Sequence, residues 1–316
     1  MTTARAEVVR IATRRSPLAR WQARHVAKVL TEREPGLSAE YVEIVTRGDR
    51  ILDSPLSGVG GKGLFVKEVE EAVIDGRADL AVHSLKDVPA MQPTELVLAA
   101  FPKREDPRDV WISSRFKRLA DLPQGAQVGT SSLRRACQLK AVRPDLEIVS
   151  IRGNVETRIR KILESLSGGV LAAAGLIRLG LESRASEVLD PSVMLPAAGQ
   201  GILGLEIRVG DDLTRRRVEA LADPATRDAA VAERAFLARL GGGCQVPIAA
   251  HAIVEGEEIS LRGLVGWPDG HAIVQGVRRA ARSAGAEAGA SLAEELLARG
   301  AGEILGSLRA ESTTGR

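Results

Sequence analysis

Strand and helix signals alternate over the first ninety residues, and that alternation constrains the fold more than any other feature of the chain. Val8-Val9-Arg10-Ile11-Ala12 is a buried-strand run. Ser16-Pro17 then supplies an N-cap hydroxyl and a proline at the first helical position, opening a helix that runs to about Glu34. Glu34-Pro35-Gly36 stops it, and Tyr41 to Val45 reads as a second strand. Two strands joined by a helix make a βαβ unit, which predicts a parallel sheet. Beyond the Gly-rich segment Ser57 to Gly63, a helix is expected on the four-residue spacing of Phe65, Val69 and Val73. Leu80-Ala81-Val82 is a third strand, running out into His83-Ser84-Leu85-Lys86-Asp87-Val88-Pro89. Polar residues just past a strand's carboxyl end are where open α/β sheets hold ligands.

From about Asp106 the pattern starts again. Val110 to Ile112, Gln127 to Gly129, Glu147 to Ile151 and Val170 to Ala174 read as strands. Helices follow Thr130-Ser131-Ser132 and Arg152-Gly153-Asn154, the second burying Val155, Ile159, Ile162, Leu163 and Leu166. Two successive blocks of this kind predict two α/β domains of similar size. Gly201 to Ile207 is a further apolar strand that would return to the first domain, giving two crossovers and a hinge. After about Asp223 come a helix from roughly Ala225 to Leu240, the loop Gly241-Gly242-Gly243-Cys244, three strand-like runs between Ile248 and Val277, and helices near Leu292–Ala298 and Ile304–Leu308. The expected organisation is a discontinuous first domain (1–103 and 200–220), a second at 104–199, and a small α+β third domain at 221–316.

Charge narrows the partners. Lys plus Arg number 44 against 41 Asp plus Glu, a net +3, so any anion site must focus its positive charge locally. Aromatic residues make up only 3%, too few for a base-stacking surface, which counts against a nucleic-acid partner. Cys137 and Cys244 are too few for a disulfide scaffold or zinc ribbon, and the four histidines lack ligand spacing, so no metal is expected. No stretch reaches the ~18 uninterrupted apolar residues of a membrane span, and Met1 to Arg15 lacks the apolar core of a signal peptide. A cytoplasmic protein without membrane contact is expected.

Several constellations could carry chemistry. Thr130-Ser131-Ser132-Leu133-Arg134-Arg135 places hydroxyls, free backbone N–H groups and two guanidiniums in one turn, and Arg152-Gly153-Asn154 with Arg158 repeats the arrangement. Each alone reads as a capped helix with solvated arginines; two in consecutive βα turns read as an anion cradle. Asp87 beside Lys86 is either a structural ion pair or an acid/base group. Gly60-Gly61-Lys62-Gly63 departs from phosphate-loop spacing and reads as a flexible loop with a cationic tip. Cys244, between three glycines and Pro247, is either a small buried hydrophobe or an exposed, chemically available thiol. Cys137, within a helix from Arg134 to Val142, reads as inert core. A two-domain anion receptor is the alternative to an enzyme on this topology, since fold alone does not fix function.

The motifs resemble one family, the porphobilinogen deaminases (hydroxymethylbilane synthases). The matching segments include Ser16-Pro17-Leu18-Ala19, Val45-Thr46-Arg47-Gly48-Asp49, Gly60 to Phe65, Val82 to Pro89, Arg104 to Asp109, Gly129 to Arg135, Arg152 to Val155, Gly199-Gln200-Gly201 and Gly242 to Ile248, in family order. The resemblance implies two periplasmic-binding-protein-like domains with a hinge, plus a small α+β domain. It implies a transferase of tetrapyrrole (haem) biosynthesis that condenses four porphobilinogen molecules head to tail into linear hydroxymethylbilane, releasing ammonia each time. The primer would be a dipyrromethane, built from the same substrate and attached by thioether to Cys244. Asp87 would be catalytic. Ser84, Lys86, Asp87, Thr130, Ser132, Arg134, Arg135 and Arg158 would hold the primer. Arg14, Ser16, Arg152, Arg178 and Gln200 would hold the substrate or growing chain, and Lys62 and Phe65 would belong to an active-site loop. Arg178 also reads as a surface helix residue, and Asn154 as a helix cap. A monomer is the family expectation. Two departures stand out: Gly168-Gly169 where the family has an acidic-aromatic stretch, which puts the local turn in question, and Arg15 where glutamine is frequent.

Overall fold

The first sheet is mixed rather than parallel. In the computed structural model, which describes residues 7–50, 63–241 and 246–314, β1 (Glu7–Arg14), β2 (Leu37–Ile44), β3 (Leu80–Ser84) and β4 (Leu96–Ala100) come from the N-terminal hundred residues. β2 and β3 both pair parallel with β1. The chain then crosses over and forms β5 (Asp109–Ile112), β6 (Gln127–Gly129), β7 (Glu147–Val149), β8 (Gly168–Ala172) and β9 (Glu187–Leu189) in a second sheet. It comes back as β10 (Leu203–Arg208), which inserts antiparallel between β3 and β4. β5 takes the same place in the second sheet, antiparallel between β8 and β9. The orders β2-β1-β3-β10-β4 and β7-β6-β8-β5-β9 are therefore equivalent. In each sheet the strand that opposes its neighbours is the one entered from a crossover. The βαβ argument finds the locally connected parallel pairs and is blind to strands arriving from the other sheet.

Helices cover both faces of the first sheet. Pro17–Arg33 begins where Ser16 Oγ accepts the Ala19 N–H at 3.2 Å. It buries Ala23, Val26, Ala27 and Leu30, a helical stripe, against Val9 and Ile11 of β1. Ala12, one residue on, faces the other way and meets Val69, Ala72 and Val73 of the helix Lys67–Ile74, as the two-residue period of a strand requires. Around the second sheet, Trp111, Leu139, Leu146 and Met194 pack on one side, and Ile112, Ile159, Ile162 and Leu176 on the other.

Gly168 and Gly169 lie inside β8, which starts two residues earlier than the apolar run suggests. A Cβ on Gly168 would stand 2.1 Å from the Trp111 ring, and one on Gly169 would stand 2.5 Å from Ile162 Cδ1. The glycine pair makes room for two large buried side chains, so it answers a packing demand rather than a turn. β9 and the helix Asp212–Glu219 carry too short or too charged a pattern to be read from sequence, whereas β4 is a plain apolar run that sequence reasoning missed.

The C-terminal part is an antiparallel meander of β11 (Ile248–Glu255), β12 (Glu258–Gly266) and β13 (Ile273–Ala281). The helices Pro224–Arg239 and Gly285–Leu296 pack on it around Phe236, Leu261 and Leu292. Cys137 is fully buried where the helix Leu133–Val142 meets this sheet, so closely that a Cβ on Gly266 would stand 2.5 Å from its Sγ. Burial pushes that thiol up to about 12, which leaves it unreactive. Among the described residues no helix is long and apolar enough to cross a membrane.

Candidate active site

β3 ends at Ser84, and a single 3-10 turn, Leu85–Asp87, carries the chain past the sheet edge. Buried Leu85 pins the turn by donating its N–H to Ile202 O at 2.9 Å. Asp87 is thereby set at a cavity that it shares with Ser84, Arg14, Ser16 and Phe65. Arg14, the last residue of β1, stacks its guanidinium 4.4 Å from the Phe65 ring centre, a cation–π contact. Phe65 fits because residue 48 is glycine: a Cβ there would stand 2.2 Å from the ring. Arg14 is also held by Asp49, whose Oδ2 accepts from Nε at 3.2 Å and from the Thr46 hydroxyl at 2.8 Å. Burial would raise the Asp49 carboxyl, but Arg14 and Thr46 outweigh it and keep the group below its usual range. Ser84 Oγ accepts from the amide of buried Gln22 at 2.8 Å.

Beside this cavity lies a cluster of cations around one buried carboxylate. Asp109, at the start of β5, accepts from Arg134 Nη1 and Arg135 Nη2, each at 2.7 Å. Burial raises the Asp109 carboxyl, and the two guanidiniums more than reverse that, holding it far below the ordinary carboxylate range. Gln200, fully buried on the return crossover, donates to Asp109 Oδ1 at 3.0 Å and to Pro107 O at 2.6 Å. Its carbonyl accepts from Lys86 Nζ at 3.3 Å and Arg134 Nη2 at 3.4 Å. Gln200 thus ties both crossovers to the turn that presents Asp87. Desolvation pushes the Lys86 ammonium down to about 8, with positive Arg135 as the next cause. Arg158 is lowered first by burial, then by Arg135, with Arg152 and Arg14 adding to it. These groups feel one another because they converge.

The remaining expected residues fall nearby. Thr130 is buried and its hydroxyl accepts the Ser132 N–H at 3.1 Å, while Ser132's side chain makes no cap bond to its helix. Asn154 does cap its helix, accepting the Thr157 N–H at 2.8 Å. Arg178 is not a surface helix residue: it is 7% exposed and donates to Gly201 O at 2.7 Å on the return crossover. Arg15 is exposed and pairs with Glu43 at 3.8 Å. Lys62 and Cys244 lie outside the described residues. Sequence reasoning missed Gln22, Asp49 and Asp109 as members of the site. Asp49 and Asp109 close the motifs Val45 to Asp49 and Arg104 to Asp109, and that position was their only signal.

The donor set suits a polycarboxylate such as dipyrromethane. Lys86, Arg134, Arg135 and Arg158 repel one another across a partly buried space in which Asp109 is neutralised, and added carboxylates relieve that repulsion. The partly exposed carboxylate of Asp87 can accept pyrrole N–H groups.

Comparison with known proteins gives the family. A family model described as "Porphobilinogen deaminase, dipyromethane cofactor binding domain" matches residues 9–216, and the corresponding C-terminal domain matches 228–298. A porphobilinogen deaminase of Syntrophotalea carbinolica is 54% identical over 301 residues, covering 95% of this chain and 96% of its own. That of Roseiflexus castenholzii is 53% identical over 296 residues, covering 93% and 97%. Among solved structures, a periplasmic substrate-binding protein of an ABC transporter from Coxiella burnetii matches at a TM-score of 0.44 and 18% identity, over 70% of this chain and 95% of its own. With both family domains and near-full-length relatives in agreement, the chain belongs to the porphobilinogen deaminase family.

Proposed function

We propose that Asp87 carries the family's reaction in this chain: four porphobilinogen molecules condense head to tail to hydroxymethylbilane, each condensation releasing one ammonia, which makes the enzyme a transferase. The observation that supports it best is the setting of Asp87. Its carboxylate borders a cavity with Arg14, Ser16 and Ser84, and Lys86 and Arg158 of the cation cluster lie close enough to feel its charge. Ser84, Lys86, Thr130, Ser132, Arg134, Arg135 and Arg158 would hold the carboxylates of the dipyrromethane, with Cys244 as its point of attachment. When bound, that group supplies the pyrrole carbon to which the first substrate is joined.

Arg14, Ser16, Arg152 and Arg178 then serve the acetate and propionate of the incoming pyrrole and of the lengthening chain. Arginine grips carboxylates through paired N–H donors, which fixes orientation as well as charge. Gln200, being buried, acts by holding Lys86 and Arg134 in place. As ammonia leaves the substrate's aminomethyl carbon, positive charge develops on the pyrrole, and the Asp87 carboxylate would stabilise it and accept a proton. Phe65 lines the cavity, and by the family resemblance it and Lys62 would belong to the active-site loop. The three-domain division at 1–103 with 200–220, 104–199 and 221–316, a monomeric state and a cytoplasmic location complete the proposal.

Intact-protein mass spectrometry under denaturing conditions, with a peptide map of the Cys244 loop, tests it. A mass excess of two linked pyrroles on Cys244, growing when porphobilinogen is added, is the expected result. An unmodified chain that gains no mass with porphobilinogen would sink the assignment.

A further inference from the structure

Three buried titratable side chains lie together in the first sheet, and no role above uses them: His83 on β3, Glu206 on β10 and Glu70 on the helix Lys67–Ile74. His83 Nε2 stands 3.0 Å from Glu206 Oε2, and Glu206 Oε1 accepts from Gln92 Nε2 at 2.6 Å. Glu206 is fully buried and His83 is 6% exposed. The helix Lys67–Ile74 packs on both β3 and β10, and Glu70 Oε1 is buried there with no hydrogen-bond partner. A carboxylate oxygen left dry and unpaired is costly to ionise. His83 also lines the cavity that holds Ser84 and Asp87.

We propose that His83 is a positioning residue of the active site, oriented by Glu206, and that the proton on Glu70 tunes the field at Asp87 through this buried cluster. The inference deepens the assignment of catalysis to Asp87 and rests on it. Glu206, already bound by Gln92, fixes the His83 ring with Nε2 as the donor. While Glu70 is protonated, one carboxylate, Glu206, faces the one imidazole. When Glu70 ionises, a second negative charge enters the buried cluster, one ring away from the cavity of Asp87. The surroundings of Asp87 then become more negative, and carboxylate-bearing substrates are held less well. Glu70 is raised to about 7 by burial first and by Glu206 next, with His83 opposing, so this change falls in the working pH range. The groups that face the cluster are Glu206 from β10, His83 from β3, Glu71 from Glu70's own helix, and Arg234 from the helix Pro224–Arg239. Arg234 is itself engaged by Pro89 O at 3.0 Å and by Ala90 O at 3.2 Å.

The test is ring-nitrogen NMR on the full-length, cofactor-loaded protein, which has only four histidines to assign. The His83 signal is identified by its loss in His83→Asn. In the wild type it should respond as Glu70 gives up its proton near pH 7. Glu70→Gln should abolish that response, and Glu206→Gln should change the ring-nitrogen shifts by removing the carboxylate that Nε2 meets. The pH profile of kcat/KM should lose its near-neutral inflection in Glu70→Gln. A His83 response that Glu70→Gln leaves in place overturns the coupling. Coupling present with an unaltered pH–rate profile overturns the positioning role. If Glu206→Gln fails to fold, Glu70→Gln, which replaces a protonated acid by an amide of the same shape, carries both readouts. Substantial activity in Asp87→Asn would instead remove the catalytic assignment while leaving the NMR coupling intact, so the two failures are distinguishable.

Discussion

Arg135 Nη2 lies 2.7 Å from Asp109 Oδ1, with both side chains buried. Arg134 closes on the other oxygen at the same distance. One carboxylate thus holds two consecutive arginines at the head of their helix, and Asp109→Ala would leave two guanidiniums buried without a counter-charge. Removing one partner of a buried pair costs about 3–5 kcal/mol, so urea unfolding should show a loss of that size. Asp109→Asn, which keeps the shape, should lose less. A loss below about 1 kcal/mol for the alanine variant would mean that Gln200 and the backbone carbonyls hold the arginines unaided.

Asp87→Asn separates chemistry from folding. Asp87 is partly exposed at the end of a turn that Leu85 anchors, so the amide should fold with a stability change within about 0.5 kcal/mol. Positioned acid/base groups contribute roughly 10²–10⁴-fold. Ammonia release from porphobilinogen should fall by at least the lower figure. A variant with more than a tenth of the wild-type rate would place the proton transfers elsewhere.

The sequence was most readable where the physics is local. Ser16-Pro17 announces a helix start because the cap and the proline act within one turn, and the cap bond is there at 3.2 Å. Asp87 is legible because a strand end followed by polar residues is a local pattern. Asp109 was not, since its meaning depends on Arg134 and Arg135, which reach it from a helix 25 and 26 residues away. The antiparallel placement of β5 and β10 was hidden for the same reason: each pairs with strands that are not its sequence neighbours. Gly168-Gly169 reads in sequence as a question about the local turn, because the Trp111 ring that requires it lies more than fifty residues away.

That last contact makes a packing prediction. A Cβ on residue 168 would stand 2.1 Å from Trp111 Cζ2 and 2.9 Å from Ile112 O. The ring is fully buried and cannot swing aside without disturbing Val128 and Val170. Gly168→Ala should therefore destabilise by about 1–3 kcal/mol, the usual cost of overpacking, and blue-shift or quench part of the tryptophan fluorescence. An alanine variant as stable as the wild type would show that β8 can shift away from β5.

Glu70 gives the folded protein a pH dependence whose sign can be worked out. Its carboxyl is raised from an ordinary 4.5 to about 7 by burial and then by Glu206. Below the ordinary value both the folded and the unfolded chain hold the proton, and Glu70 adds no pH-linked cost. As pH rises, the unfolded chain releases the proton first, so the folded state binds more protons and loses stability. The loss runs at roughly 1.4 kcal/mol per pH unit and levels off above about 7, a total on the order of 3 kcal/mol. Glu70→Gln removes this one titration while leaving the others in place. The difference in unfolding free energy between variant and wild type should therefore shift in the variant's favour from pH 5 to pH 7 and stay constant from pH 7 to pH 8. Urea unfolding at these pH values measures it. A difference that is the same at every pH would show that Glu70 is already ionised in the folded protein at pH 5, despite its burial against Glu206.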